Sequence, residues 1–211
     1  MAELTVKENR IEIIFCDKDV CVCIKPRGVL SEGEGAESLP LLLREQLGGE
    51  IYPVHRLDRE TDGLMVYARS GRAAAELSRQ VADREMKKEY EALLTKRPEK
   101  DEAKLCDLLF YDRRAGRSYV VKRERRGVKD AELEYRVIGE ENGYCKVRVR
   151  LFTGRTHQIR VQFASRGMPL KGDRRYGAPA GGGEMGLTSC YIGFSHPVSG
   201  ELLEFGKKEE W

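Results

Sequence analysis

The spacing of hydrophobic and polar positions along the chain predicts short strands that alternate with helices. Two β-favouring runs, 11–15 and 20–24, flank the turn-like segment 17–19, so the chain is expected to open with a hairpin. Further strands are predicted at 63–68, 88–95, 131–138, 144–152, 191–194 and 202–205. This pattern predicts an α+β fold built on a mixed, largely antiparallel sheet with flanking helices.

Three helices are predicted where apolar residues recur every three or four positions. They are expected over 39–47, 70–83 and 156–166. In the second helix Ser70 is the expected N-terminal cap, and Ala74, Leu77 and Val81 are expected on its buried side. Gly167 stands where a glycine cap would end the third helix.

Composition favours a globular protein with a densely charged surface. The 211 residues are 40% hydrophobic and 35% charged, so we expect a single catalytic domain over 1–211. No apolar run is long enough to cross a membrane, and residues 1–10 lack the apolar stretch of a signal peptide, which predicts a cytoplasmic protein. The six cysteines lack the paired spacing of a zinc site and are interpreted as reduced thiols.

Charge is concentrated in residues 113–129, which we call the basic segment. The segment has one acid, Glu124, and its eight cations are Arg113, Arg114, Arg117, Lys122, Arg123, Arg125, Arg126 and Lys129. Because the whole chain carries only +3, the remainder is net acidic. Such a segment can hold a polyanion through counterion release, or it can be a solvated loop that aids solubility.

A second cationic feature is predicted on the strand over 144–152. Apolar residues there alternate with Lys146, Arg148 and Arg150, which predicts one face in the core and one cationic face.

The most concentrated polar cluster spans 55–63, just before a predicted strand. Asp58 lies there between Arg56 and Arg59, in a loop of the kind that carries catalytic residues when it is seated on a rigid sheet. The alternative interpretation is that Asp58 pairs with Arg56 or caps the next turn.

A second cluster spans 153–160, where a predicted strand turns into the third helix. Arg155, His157 and Arg160 are expected in the first helical turns, where cations oppose the helix dipole. An anion among them would remove that cost, whereas side chains lying along the surface would need none.

Together these motifs resemble RluA-type RNA pseudouridine synthases in order and spacing, over about 11–205. The matching motifs are His55-Arg-Leu-Asp58 with Thr61 and Gly63, Lys88-Glu-Tyr90, Gly154-Arg-Thr-His-Gln-Ile-Arg160, Pro169-Leu-Lys-Gly-Asp173 and Tyr176-Gly177. Further matches are Asp19, Lys25-Pro26-x-Gly28 and His196-Pro197 with Gly200.

Two features depart from that family. Asp62 stands where the family commonly has Ser, and the chain begins too near its first strand to include the S4 RNA-binding domain of many relatives. The second departure implies that the catalytic domain itself recognises RNA, which favours RNA contact by the basic segment.

The resemblance implies a pseudouridine synthase catalytic-domain fold with an RNA-binding cleft. Its activity would isomerise a specific uridine in rRNA or tRNA, without cofactor or metal.

The resemblance also implies roles for single residues. Asp58 would be the catalytic carboxylate, Arg160 would pair with it, and Tyr90 would stack on the uracil and handle the carbon-5 proton. Arg56 would hold the flipped nucleotide. The remaining RNA-binding residues expected are His55, Arg155, Arg113, Arg114, Arg117, Arg123, Arg125 and Arg126. We expect a monomer, because RNA supplies the partner.

Two other classes of function are weighed against the synthase. A non-catalytic RNA-binding protein could use the basic segment and the cationic face around Arg148, but it would not need Asp58 and Tyr90 together. A hydrolase acting on phosphate through an aspartate nucleophile would need a second Asp two residues on or a Walker-type motif, and neither occurs.

Overall fold

The computed structural model describes residues 10–33, 35 and 38–208. In chain order the strands are β1 (Ile13–Cys16), β2 (Val20–Lys25), β3 (Tyr52–Pro53), β4 (Asp62–Ala68), β5 (Lys87–Leu94), β6 (Glu102–Asp112), β7 (Arg117–Val121), β8 (Val128–Glu141), β9 (Tyr144–Leu151), β10 (Leu187–Ser195) and β11 (Leu202–Gly206). The helices of the described residues are α1 (Leu39–Leu47), α2 (Gly71–Ala82) and α3 (Gln158–Ala164), with a 3-10 turn at Arg174–Tyr176. The α+β class predicted from the sequence is confirmed.

The described chain divides into two compact units. The first contains 10–86 and 193–206, and the second contains 87–192 and 207–208. The expectation of one catalytic domain over 1–211 stays a prediction. Among the described residues, no helix is both long and apolar enough to cross a membrane.

In the first unit, β2 lies antiparallel between β1 and β4, and β3 pairs with β4. The predicted opening hairpin is confirmed. Its turn forms because Asp17 Oδ1 accepts the backbone N–H groups of Asp19 and Val20, both at 2.8 Å. Cys21 and Cys23 are fully buried on β2, and all six cysteines are free thiols.

Helix α2 begins after Ser70, whose hydroxyl accepts the N–H of Ala73 at 3.2 Å, as predicted. Its buried residues are Ala73, Leu77 and Gln80, so the predicted face with Ala74 and Val81 is wrong by one position. The reason is Gln80, whose amide donates to Ser195 O at 2.8 Å and accepts the Ser195 N–H at 3.0 Å. A polar side chain satisfied at both ends can be buried, which apolar periodicity does not reveal.

In the second unit the strands follow the order β5-β9-β8-β6-β7, and each neighbouring pair is antiparallel. The sequence did not predict β6 and β7. β7 has only five residues and lies inside the basic segment, so its strand-favouring Tyr119-Val120-Val121 run was interpreted as part of a charged loop.

The cationic face predicted on β9 is wrong, because acids neutralise it. Arg148 is 1% exposed and contacts Glu89 at 3.0 Å and Glu91 at 3.2 Å. Lys146 pairs with Glu91 at 2.8 Å, and Arg150 lies 3.5 Å from Glu89. This face is therefore not a surface for RNA.

Helix α3 begins at Gln158, two residues later than predicted, and ends at Ala164. His157 precedes it in the left-handed conformation, with φ of 56°, which the helix cannot continue through. Arg155 and His157 therefore lie outside the helix. The glycine cap is confirmed: Gly167 has φ of 75°, and Met168 N donates to Phe163 O at 3.1 Å.

Candidate active site

Asp58 lies in a tight turn between β3 and β4, in the first unit. The N–H of Thr61 donates to Asp58 O at 3.0 Å and closes the turn. On the other side Leu57 is buried, and the Ser31 hydroxyl donates to Leu57 O at 2.8 Å and accepts the Leu57 N–H at 3.2 Å. The main chain is thus fixed on both sides of the carboxylate.

Lys25, at the end of β2, also holds this turn in place through hydrogen bonds to main-chain carbonyls. Its side chain is fully buried, and its ammonium donates to Pro26 O at 2.8 Å and to Arg59 O at 3.0 Å. Burial lowers the pKa of Lys25 to about 8, against the opposing effect of the nearby carboxylates of Asp62, Glu60 and Asp58. The sequence marked Lys25 as part of a motif but assigned it no role.

The segment after Lys25 holds the turn through four further contacts. Gly28 N donates to Arg59 O at 2.9 Å, and Arg59 Nε donates to Gly28 O at 2.8 Å. Arg27 forms an ion pair with Asp62 at 2.9 Å and donates to Glu60 O at 3.2 Å. The departure at Asp62 therefore adds an ion pair at the start of β4.

The two other residues of this cluster occupy different settings. Arg56 is exposed and forms an ion pair with Glu32 at 2.9 Å. His55 is half-buried, and its Nε2 accepts the Val66 N–H at 3.2 Å. His55 is thus engaged with the backbone of β4, as expected of a positioning residue, and its contact with RNA stays a prediction.

Tyr90 lies on β5, in the second unit, opposite Val149 of β9. Its side chain is 5% exposed. The neighbouring Lys88 shares its face of the strand and is also buried, and burial lowers the pKa of the Lys88 ammonium. A Cβ added at Gly154 would lie 3.7 Å from Lys88 Nζ, so the motifs around Lys88 and Gly154 meet.

Arg160 is buried on α3 and is held by a carboxylate of its own unit. Its Nε and Nη2 donate to the two oxygens of Asp173 at 2.7 and 2.9 Å, a bidentate pair that fixes the guanidinium plane. Its guanidinium carbon lies 5.1 Å from the centre of the Tyr176 ring. The anion that the sequence called for near Arg160 is thus supplied by Asp173. The predicted pairing of Arg160 with Asp58 stays a prediction.

The hydroxyl of Tyr176 is held in place by Ser118 and His157. It accepts the Ser118 N–H at 2.8 Å and lies 2.9 Å from His157 Nδ1, and burial raises its pKa. The two motifs that end in Asp173 and Gly177 therefore serve to position Arg160. Sequence reasoning quoted both motifs but missed this role.

Gln158 folds the loop that leads into α3. Its Oε1 accepts from the Thr153 hydroxyl at 2.8 Å and from the Arg155 N–H at 3.0 Å, and its Nε2 donates to Glu132 O at 3.1 Å. Arg155 is half-buried and donates through Nε to Asp130 O at 2.7 Å.

The basic segment covers the β6–β7 turn, β7 and the loop that enters β8. Arg113 and Arg114 lie in the turn, which Asp112 closes by accepting the Arg114 N–H at 2.8 Å. The guanidinium of Arg117 lies 4.8 Å from the Tyr176 ring centre. The exposed arginines of the following loop are Arg123, Arg125 and Arg126.

One group of possible metal ligands occurs in the described part of the chain, formed by Asp17, Asp19 and His196. His196 Nδ1 accepts N–H groups from Val198 and Ser199 at 3.3 and 3.0 Å. Its Nε2 must then carry the proton, which it donates to Asp17 Oδ2 at 3.0 Å. With neither ring nitrogen offering a lone pair, this group favours a hydrogen-bonded staple over a cation site.

The ordered motifs predict an RNA-modifying isomerase, and comparison with known families confirms that class. A family model described as RNA pseudouridylate synthase matches residues 19–165, so the chain belongs to the RNA pseudouridine synthases, in the RluA-type family.

Named relatives extend over nearly the whole chain. A dual-specificity RNA pseudouridine synthase RluA of Haemophilus influenzae is 30% identical over 97% of this chain and 95% of its own length. An uncharacterized RNA pseudouridine synthase of Aquifex aeolicus is 33% identical over 94% of this chain and 69% of its own length.

The fold is shared with a solved human structure. That protein, RNA pseudouridylate synthase domain containing 1, superposes with a TM-score of 0.78 at 24% identity, over 99% of this chain and 86% of its own. The predicted pseudouridine synthase fold is thereby confirmed.

Proposed function

We propose that Asp58 is the catalytic carboxylate of this pseudouridine synthase, with Tyr90 and Arg160 acting on the same uridine. The observation that supports this proposal is the anchoring of the Asp58 turn. Three hydrogen bonds reach Arg59 O and the Leu57 peptide from Lys25, Gly28 and Ser31. A nucleophile or base must be held to within a fraction of an ångström, and the anchoring of this turn is consistent with that requirement.

The chemistry requires one carboxylate. Breaking the N-glycosidic bond of uridine leaves an electron-poor, oxocarbenium-like sugar, which Asp58 can trap covalently or relieve by removing a proton. The freed uracil turns and rejoins the ribose through carbon 5. A second carboxylate that activates water would favour hydrolysis instead of isomerisation.

Arg160 is proposed to keep Asp58 ionised and directed. A guanidinium within a few ångströms favours the charged form of a carboxylate. The bidentate contact with Asp173 supports this role, because a guanidinium of fixed plane loses little freedom on meeting a second anion.

Tyr90 is proposed to stack on the uracil and to receive or deliver the carbon-5 proton. Its place in the middle of β5, paired with β9, supports this role, since a ring held on a sheet cannot follow a turning base. Arg56 is proposed to hold the flipped nucleotide. Its exposure and its salt bridge to the equally exposed Glu32 support this, because RNA can replace such a partner at little cost.

The RNA target is proposed to be rRNA or tRNA. One relative is named as a dual-specificity synthase, and another, of Pasteurella multocida, as a ribosomal large subunit pseudouridine synthase. We further propose that the protein acts as a monomer and needs no metal or cofactor.

The test is release of tritium to water from RNA that contains uridine tritiated at carbon 5. We expect Asp58→Asn to lower the release at least about a thousand-fold, because the substitution removes the anion and keeps the shape. The matched control is Glu60→Gln, which removes an exposed carboxylate from the same turn and is expected to stay within two-fold of the wild type.

Two results would contradict the proposal. Equal loss in both variants would mean that the turn tolerates no change and that Asp58 has no special role. Full RNA binding with no release by the wild-type protein would favour a binding protein on the same fold.

A further inference from the structure

The β6–β7–β8 ribbon of the second unit has a solvent-facing aromatic row. Along β6, Leu105 and Leu109 are buried, so Phe110 projects from the opposite face. The strand registers place Tyr119 of β7 and Val128 of β8 directly beside Phe110 on either side. Tyr119 is 41% exposed.

A guanidinium lies close to each ring of this row. The guanidinium carbon of Arg125 lies 4.4 Å from the centre of the Phe110 ring, and that of Arg117 lies 5.5 Å from the centre of the Tyr119 ring. The loop backbone also supports Phe110, because a Cβ added at Gly127 would lie 3.5 Å from its ring. We call Phe110, Tyr119 and Arg125 the aromatic platform.

An exposed tyrosine ring with guanidiniums close by matches the chemistry of unpaired nucleobases. Every base has a flat π-face, and stacking of one base on an aromatic side chain or an arginine plane is tolerant of sequence. The surrounding residues of the basic segment supply charge that complements the phosphates of the same strand. The rings alone could also contact a protein, but the positive charge of the basic segment complements a polyanion such as RNA better than an ordinary protein surface.

We infer that the aromatic platform is a base-stacking subsite for unpaired nucleotides of the RNA substrate, formed by residues other than Asp58, Tyr90 and Arg160. This inference rests on the proposed function, because it takes RNA as the substrate. The platform would give the synthase a grip on single-stranded RNA by stacking as well as by charge. It would thereby contribute to the choice of looped over fully paired RNA.

The test separates stacking from charge by the salt dependence of binding. The probe is a fluorescein-labelled RNA of about twelve adenosines, followed by anisotropy over a series of salt concentrations, beside a base-free strand with the same phosphates. Tyr119→Leu keeps an apolar side chain but has no π-face, and Tyr119→Phe keeps the ring. The matched control is Tyr111→Leu, an equally exposed tyrosine on the opposite face of β6.

We expect Tyr119→Leu to weaken binding of the adenosine strand about ten-fold and to leave the slope of log K against log salt unchanged. Tyr119→Phe and Tyr111→Leu should bind within two-fold of the wild type. The base-free strand should bind the wild type and Tyr119→Leu equally well.

Three results would overturn the inference. These are unchanged affinity of Tyr119→Leu, an equal loss in Tyr111→Leu, and a loss shared by the base-free strand. Dissociation of a dimer by Tyr119→Leu with unaltered RNA binding would assign the face to a second copy of the chain and also overturn it. Tritium release by the same preparations reports on the synthase activity separately, so failure of either proposal can be recognised.

Discussion

Lys25 is a buried lysine whose task is to hold a main-chain turn. Its ammonium binds the carbonyl of Arg59, beside the proposed catalytic Asp58, and burial lowers its pKa to about 8. An unfolded lysine is protonated up to its ordinary pKa of about 10.4. Between these two values the unfolded state binds more protons than the folded state, so the contribution of Lys25 to stability rises with pH.

We therefore expect wild type to gain stability relative to Lys25→Met as the pH is raised from 7 to 10. Below about pH 8 the ammonium is charged in both states and its burial cost is fully present, whereas above that value the folded protein releases the proton. The measurement is the free energy of unfolding in urea at both pH values. Lys87→Met, at an exposed lysine, serves as the control and should show no such dependence. A wild-type advantage that shrinks with pH would contradict the assignment.

At this scale the sequence directs attention to single candidate positions but does not reveal the residues that hold them in place. Asp58, Tyr90 and Arg160 were selected because they stand in recognisable motifs. Asp173 and Lys25 stand in equally visible motifs, but their roles depend on contacts across 13 and 34 positions of the chain. Such contacts leave no trace in local spacing.

Gly172 shows how one loop controls a helix residue. It lies next to Asp173, which holds Arg160, and has φ of 70°. A Cβ at Gly172 would come within 2.5 Å of Glu184 O, whereas one at Gly177, with φ of 91°, would meet nothing within 4 Å. The two glycines share the backbone requirement and differ in the space around them.

We expect Gly177→Ala to cost about 1 kcal/mol, the penalty of a left-handed residue with a Cβ. Gly172→Ala should cost at least about 3 kcal/mol, because the backbone of Glu184 must also move. Urea unfolding measures both values. Gly172→Ala should also lower tritium release more than Gly177→Ala does, through the displaced Asp173. Equal losses of unfolding free energy in the two variants would contradict this prediction, because they would show that the backbone at Glu184 moves aside without cost.

The helices and strands were predicted with uneven success for physical reasons. α1 was predicted with its observed bounds, because its apolar spacing indicates a helix and the glycines that follow Leu47 mark the end of that helix. α3 was predicted too long because the left-handed His157 and the side-chain bonds of Gln158 replace its first turn. β6 and β7 were missed because the charged residues in and around them resemble a loop, although both contain strand-favouring runs and pair with each other.

The distribution of charge concerns the molecule as a whole. A chain of net charge +3 carries far more positive charge in its basic segment alone. Arg113, Arg114 and Arg126 are exposed, and no ion pair within the described residues engages them. Their charge is available to RNA at long range.

We expect replacement of these three arginines by Gln to weaken RNA binding and to flatten its salt dependence. Each phosphate that an arginine no longer neutralises lowers the slope of log K against log salt by about 0.7 for single strands, so the total change is about 2. The control replaces Arg79, Arg97 and Arg136, whose charges are matched by acids in surface ion pairs. If both triple variants change the slope equally, the basic segment contributes no more to RNA binding than other surface arginines do.

The buried ion pair between Glu89 and Arg148 also limits how this family can evolve. Glu89 is the middle residue of the motif that ends in Tyr90, yet its carboxylate faces Arg148 on the other face of β5. Replacing Glu89 alone leaves Arg148 with Glu91 at 3.2 Å, and replacing Arg148 alone leaves Glu89 with Arg150 at 3.5 Å. Either change still weakens a buried ion-pair network, at a cost of up to about 3 to 5 kcal/mol. The two positions should therefore change together across the lineage or remain as they are. Part of this motif is then explained by the electrostatics of the sheet, and Tyr90 is the residue of the motif that we propose takes part in the reaction.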